Sequence, residues 1–217
     1  MKNRTFLIVA SAAFVLQAGI LAWMIIQREI ILSQGELYKF KVAPVDPYDA
    51  FRGRYVTVDI EGDGPFRTDT QLRRGMYLYP SLVVDANGIA SLANPAVKPP
   101  TNIPYIKVKC RYSNPEMRKS GIVITNFDKH ANNVIVTNTH PKMVMSGKYT
   151  TTVKLPFDRY YLDEKLAPRA ERVYNETRLR DPKKRKAATL LVRVRKGRAL
   201  IEMLEIDGVP IRDLARE

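Results

Sequence analysis

Two histidines, one cysteine and several clusters of charge are the residues from which any chemistry in this chain has to be built. A phosphate-cradling loop needs Gly-x-x-x-x-Gly-Lys-Ser/Thr, because its backbone N–H groups wrap the phosphates while the lysine reaches over them. Gly147-Lys148 looks like its end, but Lys142 or Met143 stands where the first glycine belongs. His130 and His140 fall in turn-like sequence with no cysteine or carboxylate at ligand spacing, so they read as surface histidines rather than metal ligands. A serine nucleophile needs a base, yet neither a Gly-x-Ser-x-Gly elbow nor a Ser-x-x-Lys pair occurs, and Ser146 with Lys148 has the wrong spacing. Asp46 with Asp49, and Asp163 with Glu164, fit capping and turn roles better than acid–base work. No catalytic residue, metal or cofactor is expected from these patterns.

Charge is the unusual feature of the composition. Lysine and arginine outnumber aspartate and glutamate by 36 to 22, a net +14, and removing Lys2, Arg4, Arg28 and Glu29 at the N-terminus leaves about +12 on the remainder. Such a surface favours anionic partners. The densest run is Arg178, Arg180, Lys183, Lys184, Arg185 and Lys186, opposed only by Asp181. Stacking partners for nucleic acid are missing, since only Tyr174 is near, so nucleic acid is not an expected partner. The run reads as a solvated hairpin tip or, functionally, as a contact for an anionic envelope polymer. Cys110 is the sole cysteine, which excludes an internal disulfide and any zinc site built on several thiolates.

The elements that must carry these residues begin with an anchor. From Phe6 to Ile26 no side chain is ionisable, and these 21 positions make a helix about 31 Å long, matching a hydrocarbon core. Lys2, Arg4 and the terminal amine precede it with no acid among them, whereas Arg28 and Glu29 cancel on the far side. The positive-inside rule then predicts a cytoplasmic N-terminus and a periplasmic or extracellular remainder. A cleaved signal has a shorter apolar stretch, so a retained single-pass anchor is the expectation. Trp23 suits the outer interface, and residues 6–26 make the lipid bilayer the first predicted partner.

After a tether over 30–37 the periodicity changes from helical to alternating, and residues 38–217 read as one β-rich domain. Val56, Val58 and Ile60 share one face of a strand; Ile106, Val108, Cys110 and Tyr112 share another against Lys107, Lys109 and Arg111. Further strands are predicted at 76–78, 122–125, 134–137, 151–155 and 189–194. Ser113-Asn114-Pro115, Asn132-Asn133, Lys196-Gly197 and Asp207-Gly208 supply turns, the last two bracketing a hairpin arm from Arg198 to Ile206. One helix is predicted over 168–180, with Leu166, Ala170, Val173 and Tyr174 on its stripe. The fold class is therefore mainly β: one N-terminal transmembrane helix (residues 1–29 with its cytoplasmic tip), then an antiparallel β sandwich or partly open barrel with one short helix.

One segment carries a family likeness. Val45-Asp46-Pro47-Tyr48-Asp49-Ala50-Phe51-Arg52-Gly53-Arg54-Tyr55-Val56 resembles the GDYXXLXY family of membrane-anchored bacterial proteins, with Gly53 and Tyr55 on the first and third motif positions. Arg54 replaces the motif's aspartate, Val58 its leucine and Ile60 its final tyrosine. Tyr160-Tyr161-Leu162-Asp163-Glu164 looks like the family's aromatic pair leading to a glutamate, and Arg198–Ile201 to Ile206-Asp207-Gly208 resembles its closing hairpin. The resemblance implies a shared fold and placement, and companionship with a polytopic membrane protein. Asp46, Pro47, Asp49, Arg52, Gly53, Tyr55, Tyr161 and Glu164 thereby become motif positions, beside the cationic Lys183, Lys184, Arg185 and Lys186. Read without any family, Pro47 fixes φ, the aspartates cap a tight turn and Gly53 permits a bend that delivers Tyr55 into a strand.

A fainter likeness is to the β scaffold of signal peptidases, through Arg52-Gly53 to Val56 and Tyr105-Ile106-Lys107, without the catalytic serine. Two readings of function follow: a non-enzymatic, membrane-anchored accessory or interaction module for another membrane protein, or a divergent hydrolase on that scaffold. A binder of acidic envelope polymer is a third.

Overall fold

In the computed structural model, residues 2–43, 51–52, 55–61, 64–128, 133–163, 165–175, 177 and 186–216 are described. Helix α1 (Lys2–Gln34) is rich in alanine and leucine and free of proline. Its stretch from Phe6 to Gln34, whose most apolar 18 residues have a mean hydropathy of 2.1, is long and apolar enough to cross a membrane. Its large apolar side chains up to Ile26 are exposed. The helix ends at Gly35, whose N–H donates to the Ile31 carbonyl at 2.9 Å. A Cβ there would sit 2.4 Å from that same carbonyl oxygen and 3.3 Å from Arg193 Cβ, so only glycine fits. Residues 30–37, the expected tether, are thus the last turn of α1 and the start of strand β1 (Glu36–Ala43).

The chain forms two compact units. The first comprises Met1–Asp63, Leu78–Val108 and Leu155–Glu217. Its main sheet is antiparallel, with order β13-β12-β11-β1-β4, where β4 is Asp59–Ile60, β11 Ala188–Arg195, β12 Arg198–Ile206 and β13 Val209–Pro210. Strand β1 alternates strictly: Tyr38, Phe40 and Val42 are buried, while Lys39 and Lys41 are exposed. Phe40 sits opposite Leu190 in the ladder, Leu190 sits opposite Leu204, and all three are fully buried.

Both predicted tight turns are present. Lys196-Gly197 has φ of 49° and 76°, and Asp207-Gly208 has 50° and 81°, the two positive values that a type I′ hairpin requires. A register shift between Leu191 and Val192 leaves Glu202 as an extra residue in β12. Glu202 there accepts from Arg193 Nε at 2.5 Å, and Arg193 Nη1 donates to the Gly35 carbonyl at 3.1 Å, which ties the end of α1 to the hairpin.

Helix α2 (Ala167–Asn175) buries Ala167, Ala170 and Tyr174, with Pro168 in its first turn as expected. Of the predicted 168–180, residues 176 and 178–180 lie outside the described residues, and α3 (Ile211–Leu214) packs against α2.

The second unit comprises Gly64–Tyr77 and Lys109–Lys154. Its core is a long hairpin of β8 (Val108–Asp128) and β9 (Asn133–Lys154), with β5 (Phe66–Thr68) paired to β9. Strands β6 (Tyr77–Val84) and β7 (Ala90–Ala96) pair antiparallel with each other in the first unit. Neither sheet is closed, and the fold is mainly β.

Two local readings are corrected here. Ser113-Asn114-Pro115 is not a turn but runs inside β8, and the missing proline N–H is accommodated next to a register shift between Pro115 and Met117. A second shift, between Cys110 and Tyr112, makes Arg111 a bulge. The alternation Ile106, Val108, Cys110 is buried as expected, but the bulge reverses its phase, so that Tyr112 is 46% exposed and Ser113 is buried instead. Ser113 Oγ accepts from Thr151 Oγ1 at 2.9 Å, and Thr151 Oγ1 lies 3.0 Å from Thr68 Oγ1, a buried hydroxyl chain. Burial also pushes the Cys110 thiol above its ordinary pKa, which keeps it protonated and unreactive.

Candidate functional site

Two segments distant in sequence meet in a small sheet of the first unit. Strand β3 (Tyr55–Thr57) lies between β2 (Phe51–Arg52) and β10 (Arg159–Tyr161). The register sets Tyr161 opposite Tyr55, Arg159 opposite Thr57, and Arg52 opposite Tyr55 on the other side. The remains of the glycine–tyrosine motif and the tyrosine pair are therefore neighbours, which their separation in sequence does not reveal.

Period-two alternation decides what β10 offers. Arg159 and Tyr161 point outwards, while Tyr160 is buried beneath them. The Tyr55 and Tyr161 rings are 5.7 Å apart at 57°, and the Arg159 guanidinium lies 4.8 Å from the Tyr55 ring centre. A hydrogen bond to Tyr161, aided by the nearby Tyr55 and Asp158, holds the Arg159 cation still more firmly protonated than usual. Tyr161 remains 60% exposed. On the inner side, burial pushes the Tyr160 hydroxyl upwards, partly offset by Arg212, whose guanidinium is 5.6 Å from the ring centre. The Val58 N–H donates to the Asp158 carbonyl at 3.0 Å, extending the pairing beyond the ladder.

The cluster presents two aromatic faces and a fixed cation, the residue types that anchor protein contacts. The departures from the family motif have a structural reading: Val58 and Ile60, in place of its leucine and last tyrosine, are both core residues. Of the other predicted positions, Arg52 is in β2 and Lys186 precedes β11. Asp46, Pro47, Asp49, Gly53, Glu164, Lys183, Lys184 and Arg185 lie outside the described residues. Arg159 has no motif of its own; its only signal was its place before Tyr160-Tyr161, one residue out of phase with the buried ring.

The residues considered for catalysis are dispersed. Ser146 Oγ accepts the Lys148 backbone N–H at 3.2 Å, while the Lys148 Nζ pairs with Asp69 at 3.2 Å. Asp163 caps the turn into α2, accepting from the Lys165 N–H at 2.9 Å through its side chain. His140 lies in β9 opposite Ile122, and His130 is outside the described residues. Among the described residues, no group of three or more histidine, cysteine or carboxylate side chains is placed to hold a metal ion.

No curated protein and no solved structure matches the chain. A family model described as GDYXXLXY protein matches residues 17–204, from the middle of α1 into strand β12, and so takes in both strands of the tyrosine–arginine cluster. On that coverage the chain belongs to the GDYXXLXY family.

Proposed function

We propose that this chain is a single-pass membrane protein with a cytoplasmic N-terminus, whose β-rich remainder works on the opposite side as a non-enzymatic accessory to a polytopic membrane protein. The observation that carries this reading is the exposed Tyr55–Arg159–Tyr161 cluster. It is held by strand pairing on both sides of β3, and its outward groups are suited to desolvated contact rather than to proton transfer. The charge-free run and the cations ahead of it support the orientation.

The test is a photo-crosslinking residue at position 161, introduced into the full chain in native membranes. A crosslink to a multi-spanning membrane protein, lost in Tyr55→Ala and Arg159→Ala, is expected. A chain that crosslinks to nothing and purifies alone overturns the accessory reading. Protease added to intact cells or spheroplasts should cut the C-terminal remainder; full protection there overturns the orientation.

A further inference from the structure

A second feature of the first unit lies where α1 meets the main sheet. A cleft of about 350 Å³ is bounded by Gln34, Glu36 and Tyr38 on one side and by Tyr105, Arg195 and Lys196 on the other. Tyr38 Oη donates to the Glu36 carboxylate at 2.5 Å, so the single acid of the cleft already has a partner. Neither Arg195 nor Lys196 has an ion-pair partner among the described residues. Two cations without an ion-pair partner among the described residues accompany one engaged carboxylate, a charge balance suited to a single phosphate monoanion.

The depth of the cleft follows from one hydrogen bond. Arg198 Nη1 donates to Gln27 Oε1 at 2.8 Å, which ties the Lys196-Gly197 turn to α1 just beyond its charge-free run. Gln27 is one turn past Trp23, an interfacial residue type, and is followed by Arg28, the first charge after the run. The head-group layer is roughly 5–8 Å thick on each side of the hydrocarbon. Gln27 to Gln34 spans about 10 Å of helix. The turn bearing Arg195 and Lys196 is therefore level with lipid phosphates when α1 spans the bilayer. The loop closing the cleft also offers Ile103, 51% exposed, at its rim.

The turn is built to stay there. A Cβ on Gly197 would lie 2.4 Å from the Tyr105 ring, and the Gly197 carbonyl accepts the Lys107 N–H at 2.8 Å. We infer that this cleft binds the phosphodiester head group of a phospholipid from the bilayer that holds α1, with Arg195 and Lys196 on the phosphate.

The experiment uses the full chain in detergent micelles, titrated with phosphatidylglycerol and read by native mass spectrometry. One lipid should be retained, with occupancy falling at least about tenfold in Arg195→Gln/Lys196→Asn. Asparagine at 196 tolerates the positive φ, so the turn should survive. Arg195→Lys/Lys196→Arg should retain the lipid, and Arg118→Ala/Lys148→Ala, which removes two cations from the other unit, should leave it unchanged. Equal lipid retention in Arg195→Gln/Lys196→Asn overturns the assignment. Equally tight binding of soluble glycerol 3-phosphate overturns the lipid as its source. The site also depends on α1 crossing the bilayer, as proposed above. Extraction of the chain by alkaline carbonate would end both readings, whereas a chain that resists extraction but binds no lipid ends only this one.

Discussion

The two long hairpins of this protein are built to different rules. In the first unit, β11 and β12 are eight and nine residues long, joined by a two-residue turn, with Leu190, Val192, Leu204 and Ile206 buried. In the second, β8 and β9 are 21 and 22 residues long and their pairing is interrupted three times. Their described buried side chains are confined to the end near Cys110, Ser113, Thr151 and Val153, whereas Met117, Met143 and Met145 are exposed. Ladder length and stability are thus separate quantities: main-chain pairing exchanges one hydrogen bond for another with water, and burial supplies the larger net gain.

The largest expected effect tests that separation directly. Phe40→Ala removes a fully buried ring whose centre is 6.4 Å from that of Phe157, and should cost about 3–5 kcal/mol. Met145→Ala, at a side chain 68% exposed, should change stability by less than about 0.5 kcal/mol. Urea unfolding of the full chain in micelles, followed by circular dichroism, measures both. Comparable losses would mean that the ribbon is as well buried as the sheet.

Next in size are the glycines of the two tight turns. Gly197→Ala meets both a φ of 76° and the Tyr105 ring, and should cost about 2–3 kcal/mol. Gly208→Ala has a similar φ of 81° with nothing within 4 Å, and should cost about 1 kcal/mol. The difference between their unfolding midpoints isolates the ring contact, and equal midpoints would remove it as a constraint on the turn.

The first hairpin was legible in sequence because its signals are local. Lys196-Gly197 and Asp207-Gly208 announce turns that need two positive φ values, and the strands between them are short. The charge-free stretch of α1 was legible for the same reason. β8 was not, because nothing local distinguishes a proline in a turn from a proline beside a register shift, and the bulge at Arg111 inverts an alternation that holds up to Cys110. Strand β1 carried a clear signal in Tyr38, Phe40 and Val42 between Lys39 and Lys41, yet it was not among the predicted strands, and its first residues, Glu36 and Leu37, read as tether because they follow directly on an apolar helix. At the site, Tyr55 and Tyr161 were each marked by their motifs; their pairing and the role of Arg159 depend on register across about a hundred residues, which no local pattern encodes.

A smaller effect is expected at the hydroxyl chain of Thr68, Thr151 and Ser113 in the second unit. Thr151→Val keeps the volume but leaves Ser113 and Thr68 without their shared partner, at a cost of about 1–2 kcal/mol. Adding Ser113→Ala removes one orphaned hydroxyl, so the double variant should lose less than the two single losses together. Strict additivity would mean that the hydroxyls act independently and that the buried end of the ribbon is held by its apolar residues alone.

The smallest effect at neutral pH distinguishes the first unit by its response to alkali. Burial, then the hydrogen bond to Glu36 and that group's negative charge, raise Tyr38 well above the ordinary tyrosine value of about 10. Below that value the tyrosine is protonated in both the folded and the unfolded chain, and its contribution is fully present. As pH rises past about 10 the unfolded chain releases the proton while the folded chain retains it, so stability falls. Tyr38→Phe gives up the hydrogen bond, about 1 kcal/mol at neutral pH, but escapes this loss. Its deficit against the parent should therefore shrink above about pH 10, even though the buried Tyr160 keeps both chains sensitive to alkali. Urea midpoints that stay parallel from neutral to strongly alkaline pH would show that Tyr38 is not held protonated by its surroundings in the folded chain.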